Sequence, residues 1–236
     1  MAAYVGSARS DENYKATGGK PGDQRQKNNP DYSGEVMMEK FYVHKKGWYI
    51  LRAKSVDVAM ALAGAMITAC NNANIGYSQS DRYGLLKYNT STKVKVNCDC
   101  SSLVRQCVKE ATGKDPGDFY TATEPDVLMK TGKFTKHEYV AGMTIYTGDI
   151  LVTKTKGHTV IVTSGAARTN SVKYYPIYQG NTTSIVTALA AVGEKDTSLT
   201  HRKKIALVNS IKDYKGTAAQ NTKMLNLLKQ GKLKKA

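Results

Sequence analysis

The segment from Asp99 to Gly113, DCSSLVRQCVKEATG, constrains the fold most strongly, because it reads as a complete amphipathic helix. Asp99 fits the N-cap and Gly113 the stop. Leu103, Val104, Cys107, Val108 and Ala111 recur at helical spacing and form one apolar stripe. Such a stripe needs an apolar surface to cover. Further on, DILVTK and HTVIVTSG are two strand-like runs separated by TKG, the pattern of a β-hairpin. The rest of the chain must be fitted around this helix and this hairpin.

Other stretches are legible on the same grounds. SVDVAMALAGAMITACNNANIG predicts a buried helix from an N-cap at Ser55 to about Asn74, with Val58, Leu62, Ala65, Met66 and Ala69 inward. EPDVLMKTG predicts a short helix closed by Gly132. KFYVHKKGWYILRAK suggests one or two strands around Gly47. Residues Ala2 to about Lys46 are polar and rich in glycine, so turns and extended pieces are expected there. The chain has 236 residues, 41% of them apolar, enough for a sizeable core. No apolar run approaches the ~20 residues of a membrane span. The opening MAAYVGSARSDENYK lacks the pattern of a signal peptide.

Charge divides the chain. The formal net charge is +16, which speaks of a polyanionic partner and not of fold. From Val172 to the end there are 12 Lys/Arg against 3 Asp/Glu. This tail reads as three helices: TTSIVTALAAVG with Ile185, Val186, Leu189 and Val192 inward, SLTHRKKIALVNS, and TAAQNTKMLNLLKQG with Met224, Leu225 and Leu228 inward. A boundary near residue 170 is expected, with 1–170 as one domain and 171–236 as a small basic module. The 15 tyrosines against 3 phenylalanines suit a wet, polar ligand.

The chemistry centres on cysteine. Cys98, Cys100 and Cys107 follow C-x-C-x(6)-C, which does not match the paired spacing of structural zinc sites, so no metal is expected. Cys100 falls in the first turn of a helix, where the dipole favours thiolate over thiol. It is the expected nucleophile, with Asp99, Ser101 and Ser102 arguing against its full burial. Cys98 is the rival, expected semi-exposed; Cys70 and Cys107 are expected in the core. Among four histidines, His44 and His137 read as surface and His201 as solvated. His158 follows a glycine and opens a strand. A strand-edge imidazole there can reach a helix N-terminus, so His158 is the expected general base.

DCSSLV, GDILV and GHTVIV, in that order, resemble the NlpC and CHAP group of papain-like peptidoglycan hydrolases. GSARSDENYKATGGKPGDQ, GWYILRAK and NNANIGYSQSDR look like phage endolysins of Firmicutes and their prophages. The tail resembles the small C-terminal repeats on such lysins, thought to bind cell wall. The resemblance implies an α+β papain-like domain with N-terminal helices and a central antiparallel sheet, then an all-α module. It implies Cys100 as nucleophile and His158 as base, with no cofactor. A third polar residue should orient the imidazole from the strand after the histidine strand; Gln179 and Asn181 are the candidates there. Tyr77, Asp99 and Ser101 are expected to contact substrate, and Gln24, in GDQ, to fold over the cleft.

The resemblance also implies an amide bond of Gram-positive peptidoglycan as target, either the muramoyl–L-alanine amide or a stem or cross-bridge peptide bond. Peptidoglycan and anionic wall polymers are the expected partners. The expected location is the host cytoplasm, with action on the wall after release through a holin-type lesion. Two other classes are open. A nucleic-acid-binding protein would use the charge and the tyrosines but leave Cys100 and His158 idle, so no nucleic acid is expected. A non-catalytic basic wall-binding protein would have no use for them either.

Overall fold

Alternating apolar residues build the sheet of the first unit. The computed structural model describes residues 2–23, 34–168 and 173–236, and the chain divides into two compact units, Met1–Thr169 and Asn170–Ala236. In the first, six strands, β1 (Tyr4–Ala8), β2 (Val36–Lys40), β3 (Trp48–Ala53), β6 (Phe134–Glu138), β7 (Ile150–Thr153) and β8 (Thr159–Ser164), form one sheet in the order β2-β1-β8-β7-β3-β6. Every neighbouring pair in it is antiparallel. A second, two-stranded sheet pairs β4 (Ile75–Tyr77) in parallel with β5 (Val96–Cys98). Among the described residues, three α-helices, α1 (Val56–Cys70), α2 (Cys100–Thr112) and α3 (Glu124–Lys130), and a short 3-10 helix at Leu85–Lys87 complete the unit. It is a mixed α+β domain with a mainly antiparallel sheet.

The period-2 pattern gives the large sheet two apolar faces. Leu51, Ala53, Ile150, Val152 and Ile161 join Leu62 and Met66 of α1 and Leu103, Val104 and Cys107 of α2 in one core. Trp48, Ile50, Leu151, Val160 and Val162 point the other way, into a smaller core with Val5 and Ile145. Burying each large aliphatic side chain contributes about 1.5–3 kcal/mol, and truncating one to alanine costs about 2–5 kcal/mol. Gly6 lets β1 lie close to α1, since a Cβ there would stand 2.5 Å from Met66 Cγ. Asp149 is fully buried but compensated: Arg52 grips it through Nε and Nη2 at 2.9 and 2.7 Å. Removing one partner of such a pair leaves a buried charge uncompensated.

Several boundaries differ from the sequence reading. The helices are not N-terminal: β1, β2 and β3 precede α1. Polar, glycine-rich sequence hid β1, which lies inside the sheet between β2 and β8. Ser55 does cap α1, accepting from the Val58 N–H, but the helix ends at Cys70 with Asn71 as C-cap, short of Asn74. A single strand follows Gly47, and β4, β5 and β6 were not anticipated. Asp99 and Gly113 bound α2 as the sequence indicated, with Gly113 left-handed at φ 70°.

The second unit holds α4 (Ile185–Ala191), α5 (Leu199–Val208) and α6 (Ala218–Lys229), capped by Ser184, Ser198 and Thr217. Ile185, Ala188, Leu189, Ile205, Met224, Leu225 and Leu228 form its core with Tyr175 and Tyr214. Val186, expected inward, is 39% exposed; Ala188 takes the inner position. His201, expected solvated, is partly buried 3.2 Å from Glu194. No helix among the described residues is long and apolar enough to cross a membrane.

Candidate active site

The start of α2 is fixed by a reciprocal cap. Asp99 Oδ1 accepts from the Ser102 N–H at 2.7 Å, and the Asp99 N–H donates to Ser102 Oγ at 2.8 Å. The other carboxylate oxygen pairs with Arg82 Nε at 2.8 Å, and Arg82 Nη2 donates to the Phe119 carbonyl at 2.7 Å. Both oxygens of Asp99 are thereby engaged within the protein. Cys100 is the first helical residue, so its backbone N–H belongs to the set that a helix leaves unpaired. Asp99, Cys100 and Ser101 line a groove of about 310 Å³ with Gln79, Arg82, Tyr120, Thr121, Lys156 and Gly157.

Cys100 is 8% exposed. Burial, then the negative charges of Asp99 and Glu124, push its thiol up to about 12, against hydrogen bonds from Ser101 and from the Thr159 backbone that favour the thiolate. The sequence argument for a thiolate at rest therefore gives way: desolvation first, then the Asp99 carboxylate, outweigh the helix end and favour the neutral thiol. Ser101 and Ser102 are also buried, at 2% and 1% exposure. Cys98 is fully buried and donates to the Gly76 carbonyl; Cys70 and Cys107 are core residues, as expected. All four are free thiols.

His158 stands one residue ahead of β8 and its neighbour Thr159 supplies the N–H at the Cys100 sulfur. Its Nε2 lies 3.2 Å from Ser7 Oγ on β1. Burial, then Arg9 and His44, lower the imidazole to about 3, which leaves it neutral at rest and a weaker proton acceptor than a free imidazole. β8 lies between β7 and the N-terminal β1, the strand that carries Ser7. Gln179 and Asn181 fall in the second unit. His44, expected at the surface, packs on Trp48 with ring centroids 5.3 Å apart and belongs to the surroundings of His158.

Tyr77 sits at the end of β4, its phenol held above its ordinary range by burial and by Cys100, and it accepts from Gln79 Nε2 at 3.0 Å. Gly22 and Asp23 lie along β4 and β5, bonding Val96 and Ala73. Gly76 permits this approach, since a Cβ would meet the Gly22 carbonyl oxygen at 2.1 Å. Gln24 lies outside the described residues. Thus Cys100, Asp99, Ser101 and Tyr77 come together, with the His158–Thr159 segment beside them. Ser7, Gln79, Arg82 and Glu124 were not singled out; Gln79 and Arg82 stand in the YSQSDR run two and five positions after Tyr77.

A family model described as an endolysin-like domain matches residues 5–169. No curated protein and no solved structure matches the chain.

Proposed function

The chain belongs to the endolysin-like domain family, in general terms phage lytic cell-wall enzymes, and on that premise we propose that residues 1–170 form a cysteine-dependent hydrolase of an amide bond in Gram-positive peptidoglycan. The observation that carries this reading is the juxtaposition of a helix-start thiol with the strand start that bears a neutral histidine. A papain-like arrangement of the NlpC or CHAP type is the geometry that best accounts for it.

The steps follow from the groups present. His158 accepts the Cys100 proton as the sulfur attacks the amide carbonyl carbon. The backbone N–H of Cys100 and the second amide hydrogen of Gln79 support the oxyanion. The tetrahedral intermediate collapses, the C–N bond breaks, and His158 returns the proton to the departing amine. Water, deprotonated by His158, cleaves the thioester to a carboxylate and regenerates the thiol. Ser7 orients the imidazole by accepting from Nε2–H, which leaves Nδ1 as the basic nitrogen. Tyr77 walls the groove, and Asp99 holds the helix start through its cap and Arg82.

The basic unit 171–236 serves as the wall-binding module in this reading. Its excess of lysine and arginine suits anionic wall polymers. The test is clearing of purified Gram-positive walls by the wild type beside Cys100→Ala and His158→Ala, with released fragments identified by mass spectrometry. Clearing confined to the wild type supports the reading, and the new amine end names the bond.

A further inference from the structure

Glu124 is fully buried at the start of α3, and among the described residues no cation pairs with it. Its Oε1 lies 2.8 Å from Thr159 Oγ1, and that same hydroxyl lies 3.1 Å from the Leu151 carbonyl oxygen. Oε2 has no hydrogen-bond partner. A hydroxyl has one proton and a carbonyl oxygen only accepts. Both contacts are full two-centre hydrogen bonds together only if Thr159 donates to Leu151 and Glu124 donates to Thr159. That requires a protonated carboxyl. An ionised one would leave an unpaired anionic oxygen in the interior, at far greater cost than an unpaired carbonyl.

We propose that Glu124 is a positioning residue of the Cys100 site: as a neutral acid it donates to Thr159 Oγ1 and so holds the start of β8, with His158 and the Thr159 N–H, against the thiol. This deepens the cysteine-hydrolase reading and rests on it. The titratable groups facing Glu124 are Asp99 and Cys100 at the start of α2; on its own helix Asp126 is exposed, and Arg82 is taken by Asp99. Nothing in this set stabilises an anion there. Burial holds the Glu124 carboxyl up at about 8, so ionisation on the alkaline side removes the donor and adds a negative charge that opposes the thiolate.

The test measures wall clearing from pH 5 to 10 for the wild type, Glu124→Ala, Glu124→Gln and Cys100→Ala, with folding followed by circular dichroism. The wild type loses activity above about pH 8. Glu124→Ala falls by tenfold or more at every pH, and Glu124→Gln, a neutral donor at all pH values, recovers most of that loss and extends activity to alkaline pH. If Glu124→Ala does not fold, the pH profile of Glu124→Gln decides. A folded Glu124→Gln as inactive as Cys100→Ala overturns the proposal, since the ionised group would then be needed. So does an alkaline limb that is the same in Glu124→Gln and the wild type. Clearing by Cys100→Ala instead removes the hydrolase reading itself, a separately visible outcome.

Discussion

The backbone of Thr159 stands at the Cys100 thiol as a hydrogen-bond partner that favours the thiolate, which brings the start of β8 to the start of α2. The groups assigned to proton transfer and to its support lie on either side of that contact. His158 precedes Thr159, Ser7 supports His158 from β1, and Asp99 and Arg82 fix the helix of Cys100.

Ser7→Ala isolates the support of the imidazole. A neutral hydrogen bond contributes about 1 kcal/mol, so the clearing rate should fall roughly fivefold to tenfold. His158→Ala should cost far more, because it removes the base itself. Comparing the two initial clearing rates at one protein concentration checks the order. Equal losses would mean that Ser7 does more than orient.

The state of the thiol at rest is measurable by alkylation. With the thiol pushed up to about 12 and the imidazole down to about 3, the resting pair is uncharged across the neutral range. The sign follows directly: a raised thiol value means less thiolate at any pH below it. Iodoacetamide should therefore label Cys100 more slowly at pH 7 than an exposed cysteine, at a rate that climbs steadily through pH 8 and 9. A plateau between pH 5 and 7 would indicate a resident thiolate–imidazolium pair and contradict the neutral one.

Local signals carried the parts of the site they could reach. Asp99 and Gly113 bracketed α2, and the β7–β8 hairpin was written in DILVTK and HTVIVTSG, because caps, stripes and tight hairpins depend on neighbouring residues. Ser7 was beyond that reach. It lies in a stretch whose glycine and serine content reads as turn, and only pairing with β8, far off in sequence, makes Tyr4–Ala8 a strand. Glu124 looked like an ordinary acidic residue at a helix start. Its burial comes from tertiary packing, with a hydrogen-bond contact to Thr159 of β8. The thiolate argument failed for a related reason: a helix end is visible in sequence, whereas the desolvation that outweighs it is not.

The basic unit should be separable from the chemistry. Deleting residues 171–236 should weaken sedimentation with purified walls, most strongly at low salt, where lysine and arginine contacts to anionic polymers are least screened. Hydrolysis of soluble wall fragments should continue. Unchanged wall binding after the deletion would place the binding surface elsewhere.

The central claim is that Cys100 breaks an amide bond of the wall. Its most direct measurement follows turbidity of purified Gram-positive walls with the wild type and with Cys100→Ala, and identifies the released ends by mass spectrometry. Clearing by the wild type alone, with one new amine end and one new carboxylate end, is the predicted result. Equal clearing by both proteins would contradict it and move the nucleophile away from α2.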